Sequence, residues 1–161
     1  MTVMASKAEE EAASAYNIDV SRVNDQCADD SDAGSATRPP RETAANAKEH
    51  DIQRVLVEWA WTHDDARMRA LRSFPNDGPT SYAKGRVAGT PDLLLPVSSG
   101  GYGALWVELK RPGSDLRENQ YEQLCLLQRM GHAVDVAWTT KQAAFSIQNY
   151  LYDPSSFLSG Y

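Results

Sequence analysis

Cysteine is scarce. Cys27 and Cys125 are the only two in 161 residues, and they stand too far apart for a CxxC metal knuckle or a disulfide framework. A reducing cytosol suits such a chain, and a cytoplasmic location is expected. Long apolar runs are missing too: none approaches 18 residues, which argues against a transmembrane helix. The opening MTVMASKAEEEAAS lacks the basic-then-apolar shape of a secretory signal. Positive charge is in deficit. Lys and Arg number 16 against 22 Asp and Glu, a net charge of −6, so a surface that coats polyanions by charge alone is not expected. A local basic patch, or a site where cations supply the positive charge, stays open. The glycine-rich stretch Ser98–Gly103 lacks the GK[ST] of a phosphate-binding loop, and no G-x-S-x-G occurs. His50, His63 and His132 do not have metal-ligand spacing, although His50 adjoins an acidic residue of interest, Glu49.

Residues 1–48 differ from the rest. They contain no Leu, Phe or Trp, 11 are Ala, and 5 basic residues face 9 acidic ones. Such a segment cannot bury enough apolar surface to offset an ordering entropy of roughly 1–2 kcal/mol per residue. It is expected to be a flexible acidic tail, with a short helix possible near Ala5–Tyr16 and no partner indicated. A domain is expected from 49 to 152, and 153–161 as a C-terminal tail.

Within 49–152 the periodicities read as α-β-β-β-α-β-α. Ile52, Val55, Leu56, Trp59 and Ala60 mark one face of a helix over Glu49–His63. Met68–Phe74 reads as a short strand stopped by the turn sequence Pro-Asn-Asp-Gly. Asp92–Val97 and Ala104–Lys110 read as two strands of a hairpin joined by SSGGYG. Leu116–Met130 reads as a helix stopped by Gly131, Ala133–Trp138 as a strand, and Lys141–Tyr152 as a final helix. The fold class is therefore α/β, a small mixed sheet flanked by helices.

The chemistry concentrates on ALWVELK. Alternate strand side chains share a face, so Trp106, Glu108 and Lys110 point one way while Leu105, Val107 and Leu109 enter the core. An exposed, salt-bridged edge would look the same from this segment alone. Asp92 changes the balance. In an antiparallel hairpin the start of one strand lies beside the end of the next, which brings Asp92 next to Glu108 and Lys110. Glu49, opening the first helix, is a third carboxylate for the same end of the sheet. Two carboxylates ~4 Å apart repel by roughly 4 kcal/mol at an effective dielectric near 20, and one lysine cannot neutralise three. Either they spread into solvent or a dication joins them. Hard oxygen ligands, with the Leu109 backbone carbonyl among them, suit Mg²⁺ or Mn²⁺.

These pieces, in order, resemble the VRR-NUC family of PD-(D/E)XK nucleases. Glu49 in EHDIQ, the FPNDG turn, Gly89-Thr90-Pro91-Asp92, Glu108-Leu109-Lys110 and Gln120 in ENQ match the family's motifs over about residues 49–152. The resemblance implies a restriction-endonuclease-like core and Mg²⁺- or Mn²⁺-dependent hydrolysis of DNA phosphodiester bonds. It implies Asp92, Glu108, Lys110 and Gln120 as catalytic residues, with Glu49, Asp92, Glu108 and the Leu109 carbonyl as metal ligands. Small stand-alone members resemble phage or prophage proteins and act on branched DNA as dimers. DNA with junctions, flaps or ends is thus the implied partner, a homodimer the candidate assembly, and a bacterial or phage-infected cytoplasm the setting. The stretch SYAKGRVAG is shorter than its counterpart in many relatives, which leaves the substrate grip less defined than the metal site.

Positive charge is local. Residues 66–90 hold Arg67, Arg69, Arg72, Lys84 and Arg86 against Asp77 alone. Arg72, Lys84, Arg86 and Arg111 are candidate phosphate contacts, and Asn76 serves either the turn or the DNA backbone. No basic helix with base-reading side chains is evident, so backbone and shape should be recognised, not sequence. The rival readings are a DNA-binding module of the same fold that does not cut, and an accessory protein with a vestigial site. Trp106 is either packing or an edge of the cleft.

Overall fold

The computed structural model describes Pro40, residues 48–74 and residues 87–155. The expected helix near Ala5–Tyr16, residues 75–78 of the FPNDG turn, and Asn76, Lys84 and Arg86 lie outside the described residues. The elements are α1 (Glu49–Trp61), β1 (Arg72–Ser73), β2 (Leu93–Leu95), β3 (Leu105–Leu109), α2 (Glu118–Arg129), β4 (Ala133–Ala137) and α3 (Thr140–Tyr152). The sheet order is β1-β2-β3-β4. The first two pairings are antiparallel and β3–β4 is parallel, which makes a mixed sheet with α2 as the crossover between parallel neighbours.

One face of the sheet is apolar because alternate residues demand it. Leu93, Leu95, Leu105, Val107 and Leu109 join Ile52, Leu56 and Ala60 of α1 and Ala143, Ala144, Ile147 and Tyr150 of α3 in a single core. Tyr150, fully buried, donates its hydroxyl to the Val97 carbonyl at 2.6 Å and ties α3 to the hairpin. The hairpin closes through a Ser99–Tyr102 bridge in which Gly100 and Gly101 both take positive φ, the geometry that matches strand twist in tight turns. α2 ends as its sequence predicts. Gly131 has φ +83°, its N–H donates to the Gln128 carbonyl and the His132 N–H to that of Leu127, a Schellman closure.

The segment Met68–Phe74 departs from its predicted strand. Met68–Ala70 is a single 3₁₀ turn and only Arg72–Ser73 pairs with β2. Met68 and Leu71 are both buried, and a spacing of three is that of a tight turn, not of a strand. Asp65 reinforces the turn by accepting from the Arg67 N–H at 2.8 Å and from its guanidinium at 2.7 Å. No described helix is long and apolar enough to cross a membrane.

Candidate active site

The hairpin register pairs Leu93 with Val107 and Leu94 with Trp106. Continued by one step, it sets Asp92 against Glu108. Both are buried, each 1% exposed, and Lys110 is buried at 5%. They form no solvated edge, which is the first way the structure separates a site from a surface ion pair.

Asp92 is held at both oxygens. Its Oδ2 accepts the Leu109 N–H at 2.9 Å, and its Oδ1 accepts the Gln53 Nε2 at 2.9 Å. A residue's N–H and C=O project to the same side of a strand, so the Leu109 carbonyl also points to the Asp92 side of β3. Gln53 is a buried polar residue of α1 that the motif reading missed. The signal was present, because Gln53 lies four residues after Glu49 and therefore on the same helix face.

Glu108 Oε1 lies 3.1 Å from the Lys110 Nζ and accepts from the Gln120 side-chain amide. Lys110 donates to the Gln120 Oε1 at 2.7 Å, and the same oxygen accepts the Arg117 N–H at 3.0 Å. One side-chain amide thus joins the carboxylate, the ammonium and the first turn of α2. The backbone before Asp92 packs against that same turn. A Cβ on Gly89, whose φ is +81°, would stand 2.2 Å from the Asn119 carbonyl oxygen.

Burial pushes the Glu108 carboxyl up to about 7. The Asp92 charge adds to the rise, the Lys110 ammonium opposes it, and Glu49 contributes a further repulsion. Glu49, half-buried at the start of α1, is therefore close enough to act on Glu108 electrostatically. The structure brings Asp92, Glu108, Lys110 and Gln120 together, with Glu49 nearby. Arg72 and Arg111 are exposed. Arg72 Nη1 donates to the Arg69 and Leu71 carbonyls. His50 is exposed and pairs with Asp51 at 3.2 Å.

Glu108 Oε2 is buried and has no hydrogen-bond partner. A buried carboxyl oxygen without a partner is costly, and a hard cation is one partner that would satisfy it. Among the described residues, no three His, Cys, Asp or Glu side chains gather tightly enough to hold an ion alone. Mg²⁺ does not require such a cage, since it commonly takes one or two carboxylates and completes its shell with water and substrate phosphate. The donor set of Glu108 Oε2, Asp92 and the Leu109 carbonyl fits that kind of ion, with Glu49 as an added negative charge.

A carboxylate at the mouth of one hairpin strand and an E-x-K on the next, on a mixed sheet packed by helices, define the restriction-endonuclease-like class. The VRR-NUC domain model matches residues 36–140, and the chain belongs to the VRR-NUC family, a nuclease-type family. A solved structure described as a VRR_NUC domain protein superposes with a TM-score of 0.57 at 24% identity, covering 65% of this chain and 88% of that one, which shows the shared fold. None of the curated proteins compared with the chain matches it.

Proposed function

We propose that this protein is a nuclease that hydrolyses DNA phosphodiester bonds with Mg²⁺ or Mn²⁺, directed by DNA structure (a junction, flap or end) and not by base sequence. The observation that carries this reading is the buried, unpartnered Glu108 Oε2 beside Lys110 and Asp92.

Glu108, Asp92 and the Leu109 carbonyl would hold the ion, with Glu49 completing the site. The ion would supply Lewis-acid polarisation of the phosphoryl group and help make water nucleophilic. Lys110, fixed by Gln120 and Glu108, stands ready to donate to a phosphate oxygen as negative charge builds there. Gln120 keeps Lys110 and Glu108 at a set distance, and Gln53 keeps Asp92 in one orientation. Water adds to phosphorus and one ester P–O bond breaks, leaving a phosphomonoester and a free hydroxyl. Arg72 and Arg111, both exposed, would meet neighbouring phosphates.

Supercoiled, linear, single-stranded and four-way-junction DNA incubated with Mg²⁺ or Mn²⁺ tests the proposal. Wild type should cut at least one of them, and Asp92→Ala and Glu108→Ala should not. A wild type that binds DNA and cuts none of these with either ion is a binding module, and the proposal fails.

A further inference from the structure

Trp106 lies two residues before Glu108 on β3 and shares its face. The register Arg72–Leu94–Trp106 sets these three side chains in one cross-strand row. Phe74 follows β1, donates its N–H to the Asp92 carbonyl at 2.8 Å, and stacks on Trp106 with ring centroids 6.0 Å apart and planes at 21°. Neither ring belongs to the core formed by the opposite face. Both are half-buried, whereas Leu93, Leu95, Leu105 and Val107 on that opposite face are 1% exposed or less. Trp106 therefore sits about 7 Å along β3 from Glu108, one two-residue step of a strand, and Phe74 lies directly across from Asp92.

We propose that Phe74 and Trp106 form a platform on which an unpaired nucleobase beside the scissile phosphate stacks. The inference rests on the nuclease reading and names its substrate class: strands with an unpaired nucleotide at the cut, in preference to continuous duplex. Every base has a π face, so the platform is indifferent to sequence. In a duplex those faces are occupied by neighbouring base pairs, so only a base out of the stack can use it. A chain of net charge −6 gains little affinity from broad electrostatics, and stacking supplies attraction of another kind. Arg72, exposed in the same row, is placed for the phosphate of the stacked nucleotide.

Binding without metal tests the platform independently of cutting. Wild type, Trp106→Phe, Trp106→Leu and Phe74→Leu are titrated in EDTA with a labelled oligo-dT strand and a blunt duplex of equal length, and folding is checked by thermal melting. The single-strand to duplex affinity ratio should fall about tenfold in Trp106→Leu, from the lost stacking of one base, and stay close to wild type in Trp106→Phe. Oligo-dT should also quench wild-type indole emission, and this quenching should vanish in Trp106→Phe. That second readout decides the matter if Trp106→Leu does not fold. An unchanged ratio in folded Trp106→Leu, or no quenching of wild type, overturns the platform. A wild type that binds oligo-dT with quenching yet cuts nothing overturns the nuclease reading alone.

Discussion

The carboxyl of Glu108 should make the metal-free fold more stable in mild acid than in mild base. Its folded value is about 7 against an ordinary 4.5, raised first by burial and then by Asp92. Below 4.5 the proton is bound in both states and the contribution is fully present. As pH rises past 4.5 the unfolded chain ionises while the folded one keeps its proton, and stability is lost progressively until about 7. At ~1.4 kcal/mol per pH unit the loss is roughly 2–3 kcal/mol between pH 5 and pH 8. That is a large part of the 5–15 kcal/mol that typically holds a domain together. Urea denaturation of wild type and Glu108→Gln at both pH values isolates this residue from the other carboxylates. Wild type should lose roughly 2–3 kcal/mol more than the variant over that interval. Mn²⁺ at pH 8 should restore wild type and leave Glu108→Gln nearly unmoved, because the cation satisfies a charge the variant lacks. Parallel pH profiles for the two proteins would refute the argument that Glu108 is held in a desolvated, like-charged setting.

Two further substitutions probe the supports of the site. Gln53→Leu removes the donor to Asp92 Oδ1. It should raise the Mn²⁺ concentration for half-maximal cleavage by roughly 10- to 100-fold, the usual cost of losing a ligand's orienting partner; an unchanged metal requirement would show that Gln53 only fills space. Gly89→Ala must place a methyl group against the Asn119 carbonyl in a left-handed conformation. Handedness alone costs about 1–2 kcal/mol, so thermal melting should show clear destabilisation, and a wild-type melting temperature would mean that the loop and α2 do not touch.

Much of this architecture could be read from residue order. The alternation in ALWVELK assigned Leu105, Val107 and Leu109 to the core and Glu108 and Lys110 to the other face, because strand periodicity is strict. The glycines at 100, 101 and 131 marked turns that require positive φ. Asp92 beside Glu108 followed from hairpin geometry. Other features depend on contacts that no local pattern records. Buried Glu108 and Lys110 read equally well as a wet salt bridge, since their enclosure comes from α2 and α1. Gln53 is a buried polar residue of α1, and its partner, Asp92, lies 39 residues away. Met68 and Leu71 suggested a strand because seven residues are too few to separate a period of two from one of three. The Phe74–Trp106 stack joins residues 32 positions apart.

The amide of Gln120 begins a helix and, with the same atoms, sets the spacing between an acid and an ammonium. Maturation of the reactive centre and completion of the fold are consequently one event. A nascent or partly unravelled chain has Lys110 on a loose tether, with no fixed spacing to Glu108. Under the nuclease proposal, a copy whose α2 has not yet docked would be inert for want of that spacing.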